Sequence, residues 1–302
     1  MVSTGIDVHP IRSILFVPAN REDRMRKSLT LDTDAVIFDL ESAIPRGEAT
    51  VARGMVRAVL DSHHAVRPRI CVRISAVTTD EFADDLAAAV HPSLAAVVLP
   101  QVVSADDVVA TDAALGRAEA AAGVAVGSTI IVPLLETANA LRTAYEIASS
   151  SPRVAYMGGA TSRGGDLARS VGFRFTPEGQ ETLYLRSKAL IDVRAANIAN
   201  PISGLWGNIE DLDGLRTFAR STRNLGYEGM MVIHPSHLEI VNEAFTPSAA
   251  ELDEWKGIVS AMEEAEHEGL GAIRLNGRLI DVAHVHTANK ELARAKRLGL
   301  VD

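Results

Sequence analysis

The chain has 302 residues, of which 47% are hydrophobic and 4% are aromatic. This composition supplies enough apolar material for a large core and is not that of a disordered chain. Thirty Lys and Arg oppose 39 Asp and Glu, for a formal charge of −9, and no basic run could neutralise several phosphates. We therefore expect no nucleic-acid partner.

Cysteine content and hydropathy indicate a cytoplasmic protein. Cys71 is the single cysteine, which excludes an intrachain disulfide framework or a thiolate metal cluster and fits a reducing compartment. The N-terminal residues MVSTGIDVHPIRS lack the charged start and apolar run of a secretory signal. No stretch of about 18 uninterrupted apolar residues is present, so we expect no membrane partner.

Eight short apolar runs are typical of buried strands. Most are continuous rather than alternating, which is the pattern of parallel strands covered on both faces. In chain order they are SILFVPA from Ser13, AVIFDLE from Ala35, RICVRIS from Arg69, AAVVLPQ from Ala95, STIIVPLLE from Ser128, VAYMGGA from Val154, PISGLW from Pro201 and MMVIHP from Met230.

Amphipathic, alanine-rich segments separate these runs. They include EFADDLAAAV, ADDVVATDAALGRAEAAA, ANALRTAYEIASS and DLDGLRTFARSTRNLG. Successive strands start about 31 residues apart, a spacing that suits βαβ units. Eight such units predict an α/β fold, the TIM (β/α)₈ barrel. A doubly wound open sheet is the alternative, but the GxGxxG turn that usually accompanies it is absent after the first strand, which continues as PANREDR.

The chain continues past the length of about 250 residues that is typical of such a barrel. Ser248 and Glu251 form a Ser-x-x-Glu capping box at the start of a helical pattern. Asn276-Gly277 predicts a hairpin turn, and HVHTANKELARAKRLGL predicts a last helix. We expect a barrel domain at residues 1–245 and a helix-hairpin-helix extension at residues 246–302.

Polar side chains follow several of the predicted strands at the point where each strand ends. In a (β/α)₈ barrel these ends share one face, where the active residues lie. In chain order the polar residues are Glu41, Arg73, Gln101, Glu136, Asp166 and His234.

Two of these residues, Glu136 and Asp166, predict a magnesium site. Two carboxylates with waters and substrate oxygens make the oxygen-only shell that Mg²⁺ prefers. Arg73 could hold a carboxylate or an enolate oxygen through its planar fork. Together these groups stabilise negative charge on a carbonyl oxygen, which aldol and Claisen reactions require.

Each candidate also has a purely structural interpretation. Glu136 could cap the following helix or pair with an arginine, and Asp166 could be a helix N-cap. Arg73 could form a buried structural ion pair. Glu41 could hold the first loops together, and His234 could brace the last turn of the barrel. The glycines of GGATSRGGD are weak evidence for phosphate binding, because no Gly-Lys-Ser/Thr ending follows.

Eight motifs follow one another along the chain from about Arg12 to Leu298. They are RSILFVPANREDRMRKSL, DAVIFDLESAIP, VRIS, VVLPQV, PLLETANAL, GGDLARSVG, GYEGMMVIHPSHLEIVNEAFTPSAAEL and NGRLIDVAH. In this order they resemble the citrate lyase beta-subunit-like proteins of the HpcH/HpaI aldolase family.

The resemblance implies a TIM barrel with a C-terminal extension that packs on a neighbouring subunit of a homotrimer or hexamer. It also implies a Mg²⁺-dependent carbon-carbon lyase that acts on malyl-, citramalyl- or citryl-CoA and releases a 2-oxo acid. By motif, Glu136 and Asp166 would be the metal ligands and Arg73 would bind the oxo-acid part. Asp281 of NGRLID resembles the family's acid/base aspartate, which reaches into the neighbouring subunit's site.

We expect Glu41, Gly165 and Arg163 to contact the substrate as well. Arg163 belongs to MGGATSRGGD, which is longer than the usual FGAED-like form, and it could supply the cation that the family has where this chain has Gln101.

Other departures from the family are Ser42 in DLES for DLED, Ser75 in VRIS for VRIN, and IDVAH for VDxPH. The alternatives to a lyase are a thioester hydrolase or synthase-type variant on the same scaffold, or a non-catalytic family member.

Overall fold

The computed structural model describes residues 8–45, 47–63, 65–159, 164–176 and 178–301. Arg163, a candidate substrate contact, lies outside the described residues. The chain forms two compact units, one ending at Phe245 and the other beginning at Thr246.

Within the first unit, eight parallel strands close into a barrel in chain order, with the eighth strand paired to the first. This confirms the predicted (β/α)₈ fold. The strands are β1 (Ser13–Pro18), β2 (Ala35–Asp39), β3 (Arg69–Arg73), β4 (Leu94–Leu99), β5 (Ile130–Leu135), β6 (Tyr156–Gly159), β7 (Asn200–Ser203) and β8 (Gly229–Val232).

Helices of this unit follow the strands. They are α1 (Glu22–Ser28), α2 (Ala49–Ser62), α3 (Phe82–Ala89), α4 (Ala105–Ala122), α5 (Ala138–Arg142), α6 (Ala144–Ser149), α7 (Asp166–Val171), α8 (Gln180–Ala195), α9 (Leu212–Leu225) and α10 (Leu238–Phe245). A short 3₁₀ helix, Pro235–His237, precedes α10.

The amphipathic segment ANALRTAYEIASS forms two short helices and not one continuous helix. The break is at Thr143, whose φ and ψ are −110° and 29° and whose hydroxyl donates to the carbonyl of Asn139 at 3.0 Å. A threonine bonded to the carbonyl four residues earlier competes with the helical hydrogen-bond pattern and bends helices.

Continuous apolar strands fit this barrel because both faces of each strand are buried. Successive residues of β2 belong to two different apolar clusters: Ile37 packs with residues of the other strands inside the barrel, and Phe38 packs with the surrounding helices. Cys71 belongs to the inner cluster, and burial raises the pKa of its thiol to about 12. The cysteine is therefore a packing residue.

The second unit contains α11 (Ala249–His267), the antiparallel hairpin β9 (Ala272–Leu275) and β10 (Arg278–Asp281), and α12 (Val282–Arg297). The capping box of Ser248 and Glu251 is present at the start of α11. Asn276 and Gly277 form the hairpin turn with φ of 48° and 79°, as two-residue hairpin turns require. Both features were predicted.

In the described part of the chain, no helix combines the length and the apolar character needed to cross a membrane.

Candidate active site

A cavity of about 400 Å³ lies at the ends of the barrel strands. Four of the predicted site residues line it: Arg73, Glu136, Gly165 and Asp166. They come from the ends of β3 and β5 and from the start of α7, which are far apart in sequence, and the barrel brings them together. Their roles in binding and catalysis stay predictions.

Glu136 is the residue that follows β5, and it is 8% exposed. Its Oε2 accepts the backbone N–H of Gln101 at 3.0 Å, and no ion pair to an arginine or lysine is formed within the described residues. Thr137, not Glu136, caps the next helix. Neither structural interpretation of Glu136 holds.

Burial raises the pKa of Glu136 to about 7. Loss of water around the carboxylate is the largest cause. The Gln101 N–H and the charge of Arg73 act in the opposite direction, whereas the charges of Glu41 and Asp166 raise the pKa further. A buried carboxylate with a perturbed pKa in a cavity is a mark of a functional site.

Arg73 ends β3 and is clamped by Asp39, which ends β2. Nε donates to Asp39 Oδ1 at 2.7 Å and Nη2 donates to Oδ2 at 2.5 Å, so the guanidinium is held in a bidentate pair. The two residues are register partners across the parallel strands. The guanidinium also lies 5.1 Å from the ring centroid of Phe16.

The predicted buried ion pair of Arg73 is therefore confirmed. The pair does not remove Arg73 from the cavity, which both residues line. An arginine fixed by a buried carboxylate is a pre-oriented donor for a ligand.

Glu41 and Gln101 extend this network. Arg73 Nη1 lies 3.1 Å from Glu41 Oε2, and Gln101 Nε2 donates to Glu41 Oε1 at 3.2 Å. Ser42 accepts a hydrogen bond from Arg73. Glu41 thus links the ends of three strands, which supports its structural interpretation without excluding contact with a substrate.

Asp166 is the first residue of α7, and the N-cap is Gly165, so the interpretation of Asp166 as an N-cap is wrong. Its carboxylate is one third exposed and pairs with Arg169, whose side chain is 75% exposed. Exposed ion pairs of this kind contribute little to stability, so the Asp166 carboxylate can give up Arg169 for another cation at little cost.

Asp281 belongs to the second unit, where it caps α12. Its Oδ1 accepts the backbone N–H of Ala283 at 3.0 Å and lies 2.7 Å from His284 Nδ1. The hydrogen bond with His284 holds the pKa of Asp281 below its usual range. An exposed carboxylate in this ionised form can accept a proton.

His234, one of the polar residues at the strand ends, and Ser75, a departure from the family pattern, both make contacts within the barrel unit. His234 Nδ1 lies 2.7 Å from Ser236 Oγ at the start of the 3₁₀ helix, consistent with bracing of the last turn. Ser75 is buried, and its backbone N–H donates to Asp85 Oδ2 at 2.8 Å.

Asp39 is a site residue that sequence reasoning missed. It lies within AVIFDLE, whose apolar pattern indicates a buried strand, and the pattern does not single out its carboxylate. The signal was available: an acid at the end of β2 and an arginine at the end of β3 occupy equivalent positions in neighbouring parallel strands, so their side chains meet.

A divalent cation with oxygen ligands fits this cavity. Glu136 is buried beside Asp166, another carboxylate whose charge disfavours its ionised form, and a cation would offset both the burial and the repulsion. No cluster of three or more His, Cys, Asp or Glu able to hold a metal occurs among the described residues. Glu136 and Asp166 are two carboxylates that line the same cavity, and one or two protein carboxylates are common in Mg²⁺ sites.

Fold and site together define a (β/α)₈ barrel with an acidic, arginine-containing cavity at the C-terminal ends of its strands. The sequence profile of the HpcH/HpaI aldolase/citrate lyase family matches residues 12–235. The chain belongs to this family.

Curated relatives cover nearly the full chain. A (3S)-malyl-CoA thioesterase of Cereibacter sphaeroides is 33% identical over 96% of both chains. The citrate lyase subunit beta of Leuconostoc mesenteroides is 30% identical over 96% of this chain and 95% of its own.

Solved structures give the same result. A CitE protein of Mycobacterium tuberculosis in complex with magnesium, acetoacetate and coenzyme A has a TM-score of 0.73 and 25% identity, covering 96% of this chain and 99% of its own. A citrate lyase beta subunit of the same organism with oxaloacetate and magnesium has a TM-score of 0.64 and 27% identity. The match covers 79% of this chain and 98% of that one. A citrate lyase of Burkholderia xenovorans has 20% identity and a TM-score of 0.81. The match covers 98% of this chain and 94% of that one and shows the shared fold.

Proposed function

We propose that this protein is a Mg²⁺-dependent carbon-carbon lyase that cleaves a 3-hydroxyacyl-CoA and releases a 2-oxo acid. The substrate class consists of thioesters such as malyl-CoA, citramalyl-CoA and citryl-CoA. The proposal includes a homotrimer or hexamer in the cytoplasm.

The observation that carries the proposal is the state of Glu136. Its carboxylate is buried without a cationic partner among the described residues, and it shares a cavity with Asp166 and a pre-oriented Arg73. Glu136 and Asp166 would hold the metal. When bound, Mg²⁺ polarises the hydroxyl and carboxylate oxygens of the acid head and makes the hydroxyl more acidic.

The residues of the chain orient the bond that breaks. Arg73, held by Asp39, binds the carboxylate end of the substrate and stabilises charge as the hydroxyl loses its proton. The bond between the hydroxyl carbon and the carbon next to the thioester carbonyl breaks. Its electron pair passes into the thioester enolate, and the hydroxyl carbon becomes the carbonyl of the 2-oxo acid.

Asp281 of a neighbouring subunit exchanges a proton with the enolate carbon. In the condensation direction its carboxylate removes a proton from the acyl carbon. In cleavage the carboxylate takes up the proton that the hydroxyl releases and delivers it to the enolate carbon. The ionised form is favoured by the hydrogen bond with His284.

A second candidate is hydrolysis of the thioester. The (3S)-malyl-CoA thioesterases, 32–33% identical over 96% of this chain, favour it. In that reaction the carbon-carbon bond stays intact and water releases free CoA.

Product analysis separates the two candidates. The protein is incubated with Mg²⁺ and malyl-CoA, citramalyl-CoA or citryl-CoA, and the free thiol, 2-oxo acid and shorter acyl-CoA are quantified separately. A lyase releases a 2-oxo acid and an equal amount of the shorter acyl-CoA without free thiol. Free thiol without a 2-oxo acid would establish the hydrolase instead.

The contribution of Asp281 from a neighbour is tested by complementation. Glu136→Gln and Asp281→Asn variants are each inactive by this proposal, and oligomers reassembled from both regain activity at sites that combine an intact Glu136 with an intact Asp281. Mixed oligomers without any recovered activity would contradict the shared site. Asp281→Asn keeps a side-chain oxygen for the cap of α12, so unfolding is not expected to explain its inactivity.

A further inference from the structure

The mouth of the barrel is divided into a polar half and an apolar half. β2, β3, β5 and the start of α7 supply the cavity's charged side chains, Asp39, Arg73, Glu136 and Asp166. β1, β7 and β8 supply a contiguous apolar wall, because β1 and β7 both pair with β8 in the closed barrel. Its larger side chains are Phe16, Val17, Leu205, Met231 and Ile233.

The charged side chains of the polar half carry a net negative formal charge before any metal binds. Arg73 is the one cationic side chain among the described residues that line the cavity, and Asp39 and Glu41 both pair with it. Three carboxylates, Asp39, Glu136 and Asp166, line the described part of the cavity with this one guanidinium. One divalent cation would bring their formal charge to zero if all three were ionised.

With no excess positive charge among these residues, one substrate carboxylate is accommodated much better than two. A single carboxylate can lie against Arg73 and the metal, where both attract it. A second carboxylate on the same carbon skeleton would have to lie either beside Glu136 and Asp166 or against the apolar wall. It would meet like charge in the first position and would lose its hydration in the second.

We propose that the site selects an acid head with one carboxylate and a small alkyl substituent on the hydroxyl-bearing carbon. Citramalyl-CoA has this pattern, whereas citryl-CoA carries a second carboxylate there. The inference rests on the proposed function and narrows its substrate class. The alkyl group packs on the wall formed by Leu205, Met231 and Ile233.

Binding of small 2-oxo acids tests the selectivity without turnover. The folded protein in saturating Mg²⁺ is titrated calorimetrically with glyoxylate, pyruvate, 2-oxobutanoate and freshly dissolved oxaloacetate. The last two are a matched pair, because they differ in a terminal methyl against a carboxylate. We expect pyruvate to bind about fourfold more tightly than glyoxylate, and 2-oxobutanoate at least about tenfold more tightly than oxaloacetate.

Two different negative results are distinguishable. Oxaloacetate binding as tightly as 2-oxobutanoate would overturn the selectivity and leave the lyase proposal intact. No Mg²⁺-dependent binding of any of the four acids would overturn the proposed function and the selectivity with it.

A charge placed on the apolar wall tests the position of the substituent. Leu205→Arg is expected to reduce the preference for 2-oxobutanoate over oxaloacetate by at least about tenfold. Ile209→Arg is the matched control, since Ile209 is exposed, lies four residues further along the chain and does not line the cavity. An unchanged preference in folded Leu205→Arg, as judged by its unfolding transition, would contradict the assignment.

Discussion

The backbone N–H of Gln101 donates to Oε2 of Glu136 at 3.0 Å, from a residue whose φ of 51° is uncommon outside glycine. The turn after β4 thereby directs a backbone donor at a carboxylate at the end of β5. One hydrogen bond does not offset the burial of a full charge, so the pKa of Glu136 stays near 7. This leaves Glu136 available to a cation.

The first prediction concerns the pH dependence of the metal-free protein. Glu136 has a pKa of about 7 when folded against 4.5 for the ordinary carboxyl, so between these values the folded state holds a proton that the unfolded state has released. Stability is therefore fully present below about pH 4.5 and falls as pH rises through about 7. The loss is about 3 kcal/mol at most.

Urea unfolding in EDTA at pH 5 and pH 8 measures this loss. Glu136→Gln has no titrating group at this position, so its stability should change less between the two pH values than that of the unaltered protein. Mg²⁺ at pH 8 should restore stability to the unaltered protein and have little effect on the variant. Equal pH dependence in both proteins would show that Glu136 ionises normally.

The second prediction concerns Asp39, whose carboxylate is buried against Arg73. Asp39→Asn keeps the size of the side chain but leaves the guanidinium without its bidentate partner. We expect the free energy of unfolding to fall by about 3–5 kcal/mol and the KM for the thioester to rise, since Arg73 is no longer held in place.

Glu243→Gln is the control for this variant. Glu243 pairs with Arg216 at the surface, with side chains 60% and 40% exposed, and its loss should change stability by less than about 1 kcal/mol. If Asp39→Asn has an effect as small as the control, Arg73 does not depend on Asp39.

A third prediction follows from the exposed pair of Asp166 and Arg169. Arg169 competes with a metal for the Asp166 carboxylate, so Arg169→Ala should strengthen Mg²⁺ binding by about two- to fivefold. Arg174→Ala removes an equal charge from a nearby exposed position. It therefore controls for the effect that loss of any nearby positive charge has on Mg²⁺ binding. Calorimetric Mg²⁺ titration of both folded variants measures the difference, and equal changes in the two would leave the competition without support.

The strands were predictable because each one is buried on both faces and therefore appears as a continuous apolar run. The meeting of Arg73, Glu136 and Asp166 was predictable for a related reason: once the barrel is accepted, strand ends share one face. Asp39 was not found, because it is the last residue of β2 and stands at the end of an apolar run. The break at Thr143 was not found either, because it depends on a local hydrogen bond and not on the apolar pattern.

The role of Asp281 lies outside what residue patterns can predict. In the structure it caps α12 like any helix-capping aspartate, and nothing in its local spacing indicates catalysis. Its assignment comes from the family resemblance. Its test therefore has to be kinetic and to involve two subunits.

The last prediction concerns a close approach between two strands of the barrel. A Cβ added to Gly158 of β6 would lie 1.4 Å from the backbone carbonyl oxygen of Ile202 in β7, so Gly158→Ala forces the strands apart. We expect a loss of more than about 3 kcal/mol or failure to fold, which is at the upper end for single substitutions. At the next position, a Cβ on Gly159 would meet only the Ala189 methyl, at 3.7 Å. Gly159→Ala should therefore fold with nearly unchanged stability, and thermal unfolding of the pair would contradict the close approach if both variants behaved alike.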